Sequence, residues 1–234
     1  MQFQELHSWD MTPKEARAEQ IALRSRVSLA DDFGDLQTIA GLDLSYSEER
    51  NEGYAVVVVL SFPDFAVLET RYATATPPMP YIPGLLSFRE SPVALEAFKQ
   101  LEIVPDLLLT DGAGLAHPRG FGIACHLGVL LNLPSVGVAK SFLYGVYDKA
   151  QALAPGQSTP LREKSGEEVI GSVVQTKLRT NPLYVSPGHR VSVDSATRLV
   201  LDCVRGYRLP EPTRQAHNLI TEYRKTVTNK DTPE

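Results

Sequence analysis

The chain has 234 residues, 43% of them apolar and 22% charged, with a net charge of −5 at neutral pH. These values are ordinary for a globular protein. No apolar run approaches the roughly 20 residues of a membrane span, and the N-terminus MQFQELHSWDMTPKEA lacks the basic start and apolar core of a secretion signal.

The acidic total argues against wholesale nucleic-acid binding, but the charge is uneven. Residues 1–159 hold 11 Lys/Arg and 19 Asp/Glu, whereas residues 160–230 hold 12 and 7. Such a split suits a metal-holding acidic half and a phosphate-holding basic half, or simply two solvated surfaces. Cys125 and Cys203 are the only cysteines and lack metal-ligand spacing, which suits free thiols in a reducing cytoplasm. The length allows one large domain or two small ones. With no repeat or linker in view, residues 1–234 are expected as one domain, frayed from about residue 226.

In chain order, residues 12 or 13 to 29 form a helix, with Thr12 able to cap it and Pro13 in its first turn. Residues 38–46, TIAGLDLSY, form a strand with Asp43 among apolar neighbours. A carboxylate there costs several kcal/mol unless it is paired or metal-bound. Residues 53–60, GYAVVVVL, make a β-branched strand, and residues 65–75 a third. The short links between them suit antiparallel hairpins.

Residues 76–84, TPPMPYIPG, hold four prolines and form a stiff irregular loop presenting Tyr81 and Ile82. It is either an elbow between sheet and helix or a wedge holding out an aromatic that can enter a base stack. Residues 85–101 are helical, with Glu90 near the start and Pro92 unsettling the first turn.

Residues 107–126, LLLTDGAGLAHPRGFGIACH, are the centre of the pattern. A short apolar strand is followed by Asp111, a bare loop at Gly112, Ala113 and Gly114, and a helix over residues 119–131. Ligands of open α/β sheets gather at the carboxyl ends of strands, although an Asp before Gly is also a common turn residue. Residues 135–139 form another short strand, with Lys140 at its end. Residues 169–177 and 184–186 read as peripheral strands, 186–190 as a turn, and 192–205 and 213–225 as helices, the last carrying His217.

The first and fourth strands can lie side by side through a crossover, bringing Asp43 and Asp111 together with Glu90 reaching in from the helix. Close carboxylates repel unless a cation lies between them, and oxygen ligands select a hard ion such as Mg²⁺ or Mn²⁺. Such a site can polarise a phosphodiester. Lys140 could stabilise the charge that develops, or be a solvated surface residue. His117 and His217 are both candidates; His7, His126 and His189 have weaker claims.

IAGLDLSY, PPMPYIPGLLSFRE, TDGAGLAHPRGFGIACHLG, VGVAKS and YVSPGHR, in that order, resemble the endonuclease V family over roughly residues 12–225. The resemblance implies an α/β, ribonuclease H-like fold: a mixed central sheet of three antiparallel strands followed by parallel ones, flanked by helices. It also implies Mg²⁺-dependent hydrolysis (Mn²⁺ also serving) of DNA containing deoxyinosine. The nick falls at the second phosphodiester 3′ to the lesion and leaves 3′-hydroxyl and 5′-phosphate ends. Asp43 and Asp111 match the metal-binding aspartates and Glu90 the third acid, acting largely through water. Lys140 matches the catalytic lysine, His217 the histidine of the last helix, and Tyr81 the wedge.

DNA carrying a flipped deoxyinosine is the expected partner of a cytoplasmic monomer that uses no membrane and no organic cofactor. The expected DNA contacts are Tyr81, Ile82, Pro83, Gly84, Leu86, Gly112, Gly114, His117 and Leu143. Gly84, Gly112 and Gly114 would admit close backbone approach to a flipped base. The Gly112 N–H would face the hypoxanthine O6, and Leu86 and Leu143 would wall the pocket. Two other readings keep the lesion: cleavage of inosine-containing RNA, and binding without cleavage. An actin-like phosphotransferase needs more residues than the chain has.

Overall fold

The computed structural model describes residues 1–229. One eight-stranded sheet runs through it in the order β3-β2-β1-β4-β5-β8-β7-β6. The first three strands, β1 (Thr38–Ser47), β2 (Glu52–Ser61) and β3 (Val67–Ala75), pair antiparallel. Next come β4 (Leu107–Thr110), parallel to β1, and β5 (Ser135–Ala139), parallel to β4. The mixed sheet expected from the sequence is therefore present. On its far side β6 (Ser158–Arg162), β7 (Val169–Val174) and β8 (Leu183–His189) join β5 as an antiparallel extension, β7 and β8 being the peripheral strands expected.

The helices α1 (Pro13–Arg24), α2 (Leu86–Lys99), α3 (Ile123–Leu131), α4 (Val193–Asp202) and α5 (Glu211–Asn229) cover the sheet. Strand β2 explains the layering. Its even residues Tyr54, Val56, Val58 and Leu60 pack in one core with Leu199, Ala216 and Ile220 of α4 and α5. Its odd residues Ala55, Val57 and Val59 pack in another with Ala94 and Phe98 of α2 and Leu127 of α3. The period-two alternation of a strand thus feeds both faces, and each buried Val or Leu contributes about 1.5–3 kcal/mol.

Several boundaries move for local reasons. Thr12 caps α1 in a reciprocal box with Glu15, yet the helix ends at Arg24 rather than residue 29. Helix α3 starts at Ile123, not residue 119, because Gly120 is at φ +60 and Ala124 N donates back to Ala113 O. Phe65, at φ +58, belongs to the hairpin before β3. Helix α2 runs through Pro92. The expected turn at residues 186–190 is largely strand. Pro187 pairs with Val136 of β5, but the β7 pairing stops at Val185, so its missing N–H leaves no ladder bond unmade there. Strand β6 was not foreseen: STPLR is short, polar and holds Pro160, tolerated because the strand is at the sheet edge. Helix α5 continues over residues 226–229, where fraying was expected; residues 230–234 lie outside the described residues. Cys125 and Cys203 are free and buried. No helix among the described residues is long and apolar enough to cross a membrane.

Candidate active site

The acids converge through strand register. Leu42 pairs with Thr110 between β1 and β4, and Asp111 N donates to Leu42 O at 3.3 Å, so Asp43 and Asp111 follow side by side. Lys140, directly after β5, is the next polar group along that end of the sheet. Its Nζ donates to Asp111 Oδ2 at 2.7 Å and stands 3.7 Å from Asp43 Oδ2.

The fourth member arrives from α5. Gly41 lies on the same strand face as Asp43, two residues on, and a Cβ there would sit 2.0 Å from the Pro212 carbonyl oxygen. The bare strand thus lets the start of α5 rest directly on β1. From Gly41 to Asp43 the strand advances about 7 Å, and from Pro212 to His217 the helix advances about 7.5 Å. His217 accordingly comes level with Asp43: its Nδ1 is 2.8 Å from Asp43 Oδ2 and 3.2 Å from Lys140 Nζ. One ring nitrogen can donate to the carboxylate or accept from the ammonium, but not both at once.

Glu90 approaches from α2, which covers the opposite face of the sheet. It is close enough to feel both aspartates: burial, with Asp111 and Asp43 behind it and Arg89 opposing, pushes its carboxyl up to about 7. Burial also raises Asp111, against the pull of Lys140. Among the described residues, no three His, Cys, Asp or Glu side chains come together as a group that could hold a metal ion, so Glu90 does not join the two aspartates as a direct ligand set. Two hard carboxylates from adjacent strands, with a third acid behind, fit a divalent cation in donor chemistry, the remaining positions falling to water and substrate oxygens.

The cleft has a volume of about 550 Å³. Besides the aspartates it is lined by Thr221, Arg224 and Lys225 of α5. The basic half of the chain therefore meets the acidic half here.

A second, smaller pocket of about 80 Å³ lies beyond the glycine loop, lined among others by Tyr81, Gly84, Leu86, His117 and Leu143. Tyr81 is 59% exposed at its rim. Gly84 is at φ +80, and its carbonyl accepts from Arg119 Nη2 at 2.6 Å and Gln20 Nε2 at 3.2 Å. His117 is buried, accepts from Arg119 N at 3.2 Å, and is held neutral by burial, its pKa lowered to about 4.

The geometry brings most of the expected contact residues to this pocket, and it separates others. Ile82 packs with Ala16, Met79, Leu85 and Phe88, fixing the proline loop to the body. Gly114 is buried; a Cβ there would lie 2.1 Å from Pro187 O, so its bareness serves contact with β8 rather than approach to a base. Gly112, at φ +141, faces Ile123, and Pro83 is exposed. His217 and His117 occupy different pockets, one beside the carboxylates and one beside the glycine loop. His126 bonds His7, and His189 accepts from Ser28 N, both away from the cleft.

A family model described as Endonuclease V matches residues 21–218. The chain belongs to the endonuclease V family. An Endonuclease V from Gloeobacter violaceus is 48% identical over 222 residues, 94% of this chain and 89% of that protein. The crystal structure of the Endonuclease V from Streptomyces avermitilis matches with a TM-score of 0.87 at 38% identity, covering 94% of this chain and 96% of that one. A Ciona intestinalis Endonuclease V, solved in complex with a 24mer DNA containing an inosine followed by a ribo-adenosine, matches with a TM-score of 0.81 at 26% identity, covering 92% of this chain and 98% of that one. Endonuclease V membership makes the chain a nuclease, a hydrolase of the DNA-repair class.

Four further residues around the cleft and the smaller pocket were not singled out from the sequence. Arg89 stacks 3.6 Å over the Tyr46 ring and 5.9 Å from that of Tyr81. Gln20, buried on α1, ties Gly84 to Phe121. Ser87, buried on the wall of the smaller pocket, has a hydroxyl without a hydrogen-bond partner among the described residues. Arg208 donates to the carbonyls of Lys140 at 2.7 Å, Asn181 at 2.8 Å and Pro182 at 3.2 Å. Ser87 and Arg89 had a signal, their place in the segment SFRE that ends at Glu90; Gln20 and Arg208 had none.

Proposed function

We propose that this chain nicks DNA containing deoxyinosine by hydrolysing the second phosphodiester 3′ to the lesion, leaving 3′-hydroxyl and 5′-phosphate ends. The observation that carries the reading is the meeting of Asp43, Asp111, Lys140 and His217 in one cleft beside a separate pocket with an exposed tyrosine at its rim.

Asp43 and Asp111 would hold Mg²⁺, or Mn²⁺ in its stead, with Glu90 acting through water. When bound, that cation supplies Lewis-acid polarisation of the phosphate and a lowered pKa for the attacking water. Lys140 balances the two aspartates and stands ready to stabilise charge on the phosphoryl oxygens. His217, hydrogen-bonded to the Asp43 carboxylate, orients or relays a proton at that oxygen.

Extrusion of the lesion suits the rest of the geometry. Tyr81, fixed by the prolines and anchored through Ile82, fills the gap in the stack. The smaller pocket, opened from its present volume, takes the hypoxanthine between Leu86 and Leu143, with the Gly84–Gly112 backbone at its edge. Its neutral His117 can offer a hydrogen bond without placing a charge against the base. The chain does this as one domain and as a monomer, without an organic cofactor.

A second reading, cleavage of inosine-containing RNA, draws on the ribo-adenosine that follows the inosine in the Ciona complex. One experiment addresses both. End-labelled strands carrying a single deoxyinosine or inosine are incubated with Mg²⁺, with and without EDTA, and the break is mapped to the nucleotide. Cleavage elsewhere, cleavage of lesion-free DNA at equal rate, or persistence in EDTA would overturn the proposal.

A further inference from the structure

A group of aromatic side chains continues the row of catalytic candidates along the same end of the sheet. Ala139 of β5 pairs with Tyr184 of β8, so a tyrosine lies across from the residue just before Lys140. The loop after Lys140 brings Phe142 against it, edge to face, with ring centroids 5.5 Å apart at 62°. Tyr147 completes the group, 5.8 Å from Phe142 and 5.9 Å from Tyr184, and its hydroxyl is 3.3 Å from that of Tyr184. Lys149 Nζ lies 6.0 Å from the Phe142 ring and 5.9 Å from that of Tyr147.

Tyr147 and Tyr184 are half-buried and tied to each other, whereas Phe142 remains 44% exposed. Tilted and edge-on contacts hold a ring in place without covering both its faces. Leu143, next in the chain, lines the pocket by the glycine loop. Phe142 and Leu143 thus face different ways from one short loop that begins at Lys140. The loop separates two apolar receptors, and only one is used by an extruded base.

A fixed aromatic face with a lysine beside it, next to a phosphodiester-cleaving centre, is the composition that takes single-stranded nucleic acid: bases stack on the ring and the cation meets the backbone. We infer that Phe142, braced by Tyr147 and Tyr184 and flanked by Lys149, is a stacking site for an unpaired nucleobase of the substrate strand near the cut, distinct from the pocket that Leu143 lines. The inference rests on the nuclease reading above. The ring holds the strand as it passes Lys140, and sequence-tolerant stacking suits a nuclease that meets its lesion in any context.

The test uses the full chain, oligonucleotides with one deoxyinosine, and 2-aminopurine placed in turn at each position flanking the lesion. Binding is measured with Ca²⁺ to prevent turnover. One flanking position should lose several-fold fluorescence on binding the wild type and Phe142→Tyr. That quenching should disappear in Phe142→Ala and in Phe142→Leu, which keeps apolar bulk but has no π face. Affinity for single-stranded lesion DNA should fall about 5- to 150-fold in both, the range of one lost base stack. Lesion-selective binding with no Phe142-dependent quenching at any position overturns this inference alone, as does wild-type affinity and quenching in Phe142→Leu. Absence of lesion-selective binding by the wild type overturns the nuclease reading, and this inference with it.

Discussion

Lys140 Nζ lies within 4 Å of both Asp111 and Asp43, so each of the three side chains sets the charge the others experience. Asp111→Asn keeps the shape of the cleft and removes one anionic oxygen donor. Nicking of deoxyinosine DNA should drop at least about 10²-fold, in line with loss of one charge-stabilising group, with lesion affinity within a few-fold of wild type in a gel-shift assay. Equal nicking by the variant would remove Asp111 from the chemistry. Arg208 acts one step back. Its guanidinium holds the Lys140 carbonyl against two carbonyls of the loop before β8, a fork that a lysine cannot reproduce. Arg208→Lys should lower kcat about tenfold with KM nearly unchanged, whereas a general loss of folding would lower Tm and the active fraction without that split. Asp43, Asp111 and Lys140 were legible because a charged residue in or at the end of an apolar strand is physically conspicuous. Arg208 was not: it binds backbone carbonyls, which every residue carries, and no spacing marks it.

The arrangement of β1 and α5 shows what an element contributes beyond its own residues. His217 is 2.8 Å from Asp43 because α5 starts on a strand position with no side chain. In Gly41→Ala the new methyl would meet the Pro212 carbonyl at 2.0 Å, forcing the helix away from the strand. The expected outcome is a loss of about 1–3 kcal/mol of stability, the range for overpacking a close contact, read by denaturant melts, and a fall in nicking of tenfold or more. Activity at the wild-type level would mean that His217 is dispensable. From the sequence, TIAGLDLSY reads as a strand, but its glycine gave no sign of the partner that needs it, since α5 arrives from 170 residues away in the chain. Strands β1, β2 and β4 were readable from continuous apolar runs covered on both faces. Strand β6 was not, because its alternating buried positions are only Thr159 and Leu161, one of them polar, with Pro160 between them, so no apolar run marks it.

At the scale of the whole molecule, the two cores on either side of the sheet leave several histidines enclosed. His126 on α3 is fully buried among Trp9, Phe88 and Phe121, and burial, then His7, holds its pKa well below the ordinary 6.5. Burial also lowers His117 to about 4 and lowers His189. Below pH 6.5 the unfolded chain takes up protons that the folded one refuses, so these groups stabilise the fold above that pH and lose the contribution as acid is added. Each such group gives a slope of up to about 1.4 kcal/mol per pH unit. Glu90, raised to about 7, works in the opposite sense. Thermal melts from pH 7 to 4.5 should show falling stability, and His126→Phe should flatten the fall by roughly one group's slope. An unchanged slope would mean that His126 is protonated in the folded protein. The acidic total charge, which argued against a nucleic-acid binder, misled because it averages over a surface whose Lys140, Arg224 and Lys225 line one cleft.

Asp43, Asp111 and Lys140 all belong to the first 140 residues, whereas His217 comes from the final helix of the described chain. A polypeptide still emerging from the ribosome can thus pair β1, β4 and β5 before it owns the imidazole that touches Asp43. Until α5 settles on Gly41, Asp43 has no imidazole beside it and the cleft holds three of its four members.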